Sequence, residues 1–133
     1  MTAPVEDLMS KKVVSVDSTS TAFDVAREML NHDIGCVVVL ENKKVIGIAT
    51  KSDIIREAVM KRLDPQKISA SSVMTKSVVT IEAGRSLSEA SSLMSKNNIT
   101  KLPVIGKGEL IGIITSTDLV RRTRPGKLAK DMI

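Results

Sequence analysis

The chain has 133 residues, a formal net charge of +5 and 42% apolar residues, enough for one compact domain or two small subdomains. Its single cysteine, Cys36, excludes an internal disulfide framework and a multi-cysteine metal site, and its single aromatic, Phe23, leaves Val, Ile, Leu, Met and Ala to build the core. No apolar run reaches membrane-spanning length and no signal-peptide stretch is visible, so a soluble cytoplasmic protein with a reduced, buried Cys36 is expected.

In chain order, Val13–Val16 reads as a short strand. Thr21 and Asp24 form a capping-box pattern, and Ala22, Val25, Ala26, Met29 and Leu30 follow at helical spacing. That spacing predicts a helix with one apolar face, ended by Asn31-His32-Asp33. Cys36–Leu40 is a continuous apolar run, expected as a strand buried on both faces. A polar turn at 41–44 and a strand over Val45–Ala49 complete an antiparallel hairpin. Thr50-Lys51-Ser52-Asp53 opens a second helix, expected to carry Ile54, Ile55, Ala58 and Val59 inward. Residues 63–73, with Asp64-Pro65 and a serine-rich stretch, read as a linker.

The same order then begins again. Met9–Val16 returns as Met74–Ile81 and Val45–Arg56 returns as Leu110–Arg121, always 65 residues on. Ser86 and Glu89 read as the better of the two capping boxes, with Leu87, Ala90 and Met94 on the buried face. In the strand Ile99–Ile105, Pro103 lacks a donor and predicts a sheet edge. A turn over 106–109 closes the second hairpin, and Pro125-Gly126 marks a turn near the end. The expected organisation is repeat 1 over 1–62, a linker over 63–73, repeat 2 over 74–122 and a tail over 123–133. Two repeats do not make an open solenoid. Units of about sixty residues are marginal alone, which predicts that the two pack into one pseudo-two-fold α/β module with two related clefts.

Catalytic constellations are nearly absent. His32 has no counterpart in the second repeat, and no Ser-His pair, histidine cluster or Walker-type loop is present. Asp53 and Asp118 could suggest a carboxylate dyad, but each falls in the first turn of a helix, where Asp suits the positive dipole end. No catalytic or metal-ligating residue is assigned. The specific signal is Gly-Ile-x-Thr-x-Ser/Thr-Asp, once over Gly47–Asp53 and again over Gly112–Asp118. Glycine lets backbone approach a ligand. Hydroxyls of Thr50, Ser52, Thr115 and Thr117 beside helix N-termini suit a phosphate, and each carboxylate can accept two hydrogen bonds from a ribose diol. Read structurally, the same hydroxyls cap the helix. The cations Arg121, Arg122, Arg124, Lys127 and Lys130 suit either a solvated helix end or an anionic partner such as nucleic acid.

The doubled motif, the Val5-Glu6-Asp7-Leu8-Met9 opening, the Ile99-Thr100-Lys101-Leu102-Pro103-Val104 segment and the β-α-β-β-α order together resemble a tandem of cystathionine β-synthase (CBS) domains, a Bateman module, over residues 5–121. The resemblance implies two pseudo-symmetric repeats packed sheet to sheet, and a stand-alone, non-catalytic regulator binding AMP, ADP, ATP or S-adenosylmethionine, with no resident cofactor. It also implies clefts that combine the base wall of one repeat with the sugar motif of the other. One takes Ser10, Val13, Ser15, Ile34 and Gly35 for the base, Asp118 for ribose, and Lys101, Thr115 and Thr117 for phosphate. The other takes Thr75, Val78, Thr80, Ile99 and Thr100 for the base, Asp53 for ribose, and Thr50 and Ser52 for phosphate. Cys36 stands where Lys101 supplies charge, so the Asp53 cleft is expected to be the weaker, with Lys51 a candidate to compensate. The expected partners are an adenosine-type ligand, a second copy of the chain through Ile54, Ile55, Val59, Leu119 and Val120, and an unidentified regulated protein. The rivals are a nucleic-acid-associated regulator using the basic tail, an enzyme using the Asp pair, and a purely structural dimerisation module.

Overall fold

A computed structural model describes residues 2–76 and 78–123. The elements are β1 (Ser15–Asp17), α1 (Ala22–His32), β2 (Cys36–Glu41), β3 (Lys44–Thr50), α2 (Lys51–Ile54, running on as a π turn over Ile55–Val59), α3 (Ala70–Val73), β4 (Ile81–Glu82), α4 (Leu87–Asn97), β5 (Lys101–Gly106), β6 (Glu109–Thr115) and α5 (Ser116–Thr123). Two three-stranded mixed sheets result, ordered β1-β2-β3 and β4-β5-β6. In each, the first pair is parallel and the second antiparallel, with an irregularity at the same place, Val39/Leu40 and Val104/Ile105. The α/β class and the two repeats are therefore as the sequence implies.

The compact units do not follow the repeat boundaries. A continuous unit spans residues 13–78, and a split unit joins residues 1–12 to residues from 79 on. Each repeat's opening segment has been handed to the other repeat's sheet. In the split unit, the Val5 amide donates to the Arg85 carbonyl (2.7 Å), and Ser10 and Ile113 exchange two backbone bonds (2.8 and 3.0 Å). In the continuous unit, Ala22 donates to Ile68 (2.9 Å), and Ile48 and Thr75 exchange bonds of 3.1 and 2.8 Å. The stretch read as a linker thus contributes α3, whose Ala70 and Val73 are buried. Each unit has its own core: Val25, Met29, Val37, Val39, Ala49 and Ala70 in one, and Val5, Leu87, Leu102, Val104, Ile114 and Leu119 among others in the second.

Several sequence expectations are corrected. The complete capping box is Thr21/Asp24; Ser86 accepts from the Glu89 amide, but Glu89 turns to Arg85 instead of closing the box. The first strand lies later than Val13–Val16, at Ser15–Asp17. Leu30 is 84% exposed, off the buried stripe of α1. Ile55 and Val59 also face outward, each one residue past Ile54 and Ala58, which take the core-facing positions. Leu119 is a core residue and Ile54 packs against the core, which leaves Ile55, Val59 and Val120 as the exposed members of the proposed contact. Pro103 is fully buried in β5, the middle strand of its sheet. Its missing donor has a local effect. At the matching position, the Val38 amide donates to the Val14 carbonyl at 3.0 Å. Proline cannot make that bond, and β4 accordingly pairs over only Ile81↔Val104 and Glu82↔Ile105, against three residue pairs for β1. Arg124, Lys127, Lys130 and the Pro125-Gly126 turn lie outside the described residues. Among those described, no helix is long and apolar enough to cross a membrane.

The motif glycines serve the exchanged segments. A Cβ on Gly112 would stand 2.5 Å from Met9 Sδ and 2.9 Å from the Ser10 carbonyl oxygen; one on Gly47 would stand 2.3 Å from Met74 Sδ and 2.9 Å from the Thr75 carbonyl oxygen. The space expected for a ligand is occupied by methionine and backbone of the chain itself. Gly112→Ala and Gly47→Ala should each lose about 1–3 kcal/mol of stability by overpacking. Gly35→Ala, where a Cβ meets nothing within 4 Å, should be near neutral. Urea unfolding midpoints check this, and an unchanged midpoint for both motif glycines contradicts the packing account.

Candidate functional site

Each candidate site grows from a strand that becomes a helix without an intervening loop. β3 ends at Thr50 and α2 begins at Lys51; β6 ends at Thr115 and α5 begins at Ser116. The first amides of a helix lack intrahelical partners. Here Thr and Asp satisfy them reciprocally. Thr50 Oγ1 accepts from the Asp53 amide (3.2 Å), and Asp53 Oδ2 accepts from the Thr50 amide (2.9 Å). Thr115 Oγ1 accepts from the Asp118 amide (3.2 Å), while Asp118 Oδ2 accepts from the Thr115 amide (2.9 Å) and from Thr115 Oγ1 (3.0 Å). The capping role weighed against ligand binding is therefore real at both motifs, and it orients each carboxylate.

The two carboxylates then differ. Asp53 is 2% exposed, and its Oδ1 takes the Arg56 guanidinium at 2.6 Å. The Thr75 hydroxyl donates to the same carboxylate, 3.1 Å from Oδ1 and 3.3 Å from Oδ2. Asp118 is half-buried, and among the described residues neither Arg121 nor Ser10, the counterparts of Arg56 and Thr75, bonds to it. Ser10 Oγ instead accepts from the Lys12 amide at 3.3 Å.

The continuous unit holds Val13, Ser15, Ile34, Gly35, Thr50, Ser52, Asp53, Thr75 and Val78; the split unit holds Ser10, Thr80, Ile99, Thr100, Lys101, Thr115, Thr117 and Asp118. Within the continuous unit, the Gly35 carbonyl accepts from the Lys51 amide (3.2 Å), which brings the β2 entrance to the Thr50–Asp53 corner. Val13, Ile34 and Val78 are half-buried, and Ser15 and Ser52 are exposed. Within the split unit, the Thr100 carbonyl accepts from the Ser116 amide (2.9 Å), and Lys101 pairs with Thr115 across the ladder. Lys101 therefore starts β5 beside the Asp118 corner, where Cys36, buried, starts β2 beside the Asp53 corner. Thr117 is exposed, and Thr80 and Ile99 are half-buried. Thr75, expected at a base, commits its hydroxyl proton to Asp53. The roles of three residues escaped the sequence reading. Arg56 was legible as an i,i+3 partner of Asp53. The insertion of Met9 and Met74 against glycines was not, because it joins segments distant in the chain.

Hollows within each unit lie elsewhere. One of about 330 Å³ is lined by Ala26, Met29, Leu30, Lys51 and Ile54, and one of about 590 Å³ by Thr80, Arg85, Glu89, Leu93 and Lys96. Neither is lined by Asp53 or Asp118. Among the described residues no group of His, Cys, Asp and Glu side chains could hold a metal ion, and His32 sits exposed with Glu28 at 3.5 Å.

Comparison with known proteins accounts for the doubled corner. An uncharacterized protein of Methanocaldococcus jannaschii is 41% identical over 118 residues, 89% of this chain and 61% of that one. The crystal structure of an uncharacterized conserved protein from Pyrococcus horikoshii matches with a TM-score of 0.79 at 30% identity, covering 93% of this chain and 94% of that chain. A structure of Hypoxic Response Protein I with two coordinated zinc ions matches with a TM-score of 0.82 at 26% identity, covering 91% and 99%. The chain spans only 63%, 61% and 61% of the length of three curated relatives that it matches. The CBS-domain family model matches twice, over residues 5–59 and 70–124, and the chain belongs to the CBS-domain family as a tandem pair.

Proposed function

We propose that this CBS pair is a non-catalytic regulatory module that binds an adenosine-containing ligand (AMP, ADP, ATP or S-adenosylmethionine) and passes the signal to a partner protein. The observation that carries the reading is the Thr115–Asp118 corner. It holds a half-buried carboxylate whose Oδ2 caps the helix while Oδ1 has no bond from Arg121 or Ser10, with the cation Lys101 at the adjacent strand start. A ribose diol suits the remaining acceptor, and Lys101 with Thr115 and Thr117 suits phosphate. CBS domains are in general regulatory modules rather than enzymes, which supports the absence of a catalytic assignment. Within the split unit Ser10 is the proposed base contact of this ligand, and within the continuous unit Val78 is that of the Asp53 site.

The two sites should be unequal. A hydrogen bond to a charged group is typically worth about 1.5–3 kcal/mol, and Lys101 adds one to phosphate where Cys36 adds none. Asp118→Ala should therefore cost more AMP affinity than Asp53→Ala in isothermal titration. Equal losses contradict the Lys101 assignment, and no heat from AMP, ATP or S-adenosylmethionine at millimolar concentration contradicts the ligand reading.

Self-association is the second element of the reading. Ile55 and Val59 are exposed on the second helix, Met60 and Leu63 are exposed just after it, and Val120 is exposed on α5. Exposed apolar side chains of this kind commonly mark an interface, and closed two-fold dimers are the commonest oligomers. Sedimentation equilibrium at tens of micromolar should give a dimer that Ile55→Asp dissociates. A monomer with and without AMP contradicts it.

A further inference from the structure

We infer that Arg56 and Thr75 form a latch on the Asp53 carboxylate, so that the chain takes its adenosine ligand through Asp118 and keeps its second sugar site closed by its own side chains. The inference rests on the ligand reading above and adds the regulation of one of its two sites. A carboxylate offers about four lone-pair positions, and a diol needs two of them. At Asp53 those positions are engaged by the Thr50 amide (2.9 Å), Arg56 Nη2 (2.6 Å) and the bifurcated Thr75 hydroxyl (3.1 and 3.3 Å). Arg56 also neutralises the charge that would attract a sugar donor. The same helix corner at Asp118 carries Arg121 and Ser10 at the equivalent positions, and among the described residues neither closes on the carboxylate.

The backbone supports the difference. Directly after Asp53, Ile54 completes α2 and the helix widens into a π turn over Ile55–Val59 carrying Arg56, with the Met60 amide donating to the Ile55 carbonyl at 2.8 Å. The equivalent stretch of α5 is α-helical as far as Thr123, where the described residues end. Single π turns inside helices are uncommon and concentrate at functional positions. Thr75 is fixed from the other side by its two backbone bonds to Ile48, so the hydroxyl is presented to Asp53 by the sheet itself. Among the described residues Arg56 has one further anchor, Glu57 at 3.4 Å, and its side chain is 59% exposed. The latch can therefore swing into solvent, and the affinity of the closed site falls by the fraction of molecules in which it is open.

The experiment uses the full chain and AMP. Isothermal titration should give one AMP per chain for the wild type, removed by Asp118→Ala. Arg56→Gln should give two per chain, with the added site tighter by about tenfold or more than any second binding in the wild type. Arg56→Lys, which keeps a cation beside Asp53, should stay at one. Urea midpoints identify the variants that fold. Two equal sites in the wild type, weaker binding in Arg56→Gln, or a folded Arg56→Gln that gains no site overturns the latch. A wild type that binds no adenosine ligand overturns the ligand reading, and the latch is then read separately from the Arg56 guanidinium NMR signals of the unliganded protein. Hindered, dispersed signals that collapse in Asp53→Asn support it; free rotation overturns it.

Discussion

Both proposed sites in this chain depend on a reciprocal cap at the point where a strand becomes a helix. Thr50 with Asp53, and Thr115 with Asp118, exchange backbone and side-chain hydrogen bonds across one turn. Because no loop intervenes, the aspartate's direction is fixed by two rigid elements rather than by a mobile segment. The cap uses one carboxylate oxygen. What becomes of the other oxygen distinguishes the two halves of the molecule: in one it is bonded to Arg56, in the other it lacks the equivalent contact. A repeat with near-identical corners thus yields two chemically different sites.

That arrangement needs the exchanged segments. Residues 3–12 supply Val5 to the split unit's core and seat Met9 on Gly112, while residues 68–76 supply Ala70 and seat Met74 on Gly47. The motif glycines are consequently packing residues, and the backbone that Gly47 receives carries Thr75 to the Asp53 cap. Strand pairing also reaches across the sequence, since β1 must find β2 around α1 and β4 must find β5 around α4. Neither unit is complete in one repeat alone, which explains why the repeat boundaries and the compact units differ.

Much of the fold was legible. The 65-residue offset, the alternation of helical and strand spacing and the polar turns gave the order of elements, and the family resemblance was carried by motifs long enough to be specific. What escaped was non-local. Pro103 reads as an edge at its own position, and β4 does not pair there, although β5 as a whole is the middle strand of its sheet. Ile55 and Val59 read as core, yet the neighbouring Ile54 and Ala58 take the core face and leave them outside. Residues 63–73 read as linker because serine and proline dominate, although Ala70 and Val73 close a core formed by the earlier repeat. At the sites, the identity of Thr50, Asp53, Thr115 and Asp118 was readable as a motif. The Thr75–Asp53 bond was not, since nothing in the local pattern brings residues 22 apart together.

The central claim is that one aspartate corner is open to ligand and its twin is closed. Amide-resolved NMR during an AMP titration tests it most directly. The account predicts that signals of Thr115, Ser116, Thr117 and Asp118 move from the first additions, while those of Thr50, Lys51, Ser52 and Asp53 stay in place until the first site is saturated. Simultaneous and equal movement at both corners, or movement at the Asp53 corner first, would contradict it.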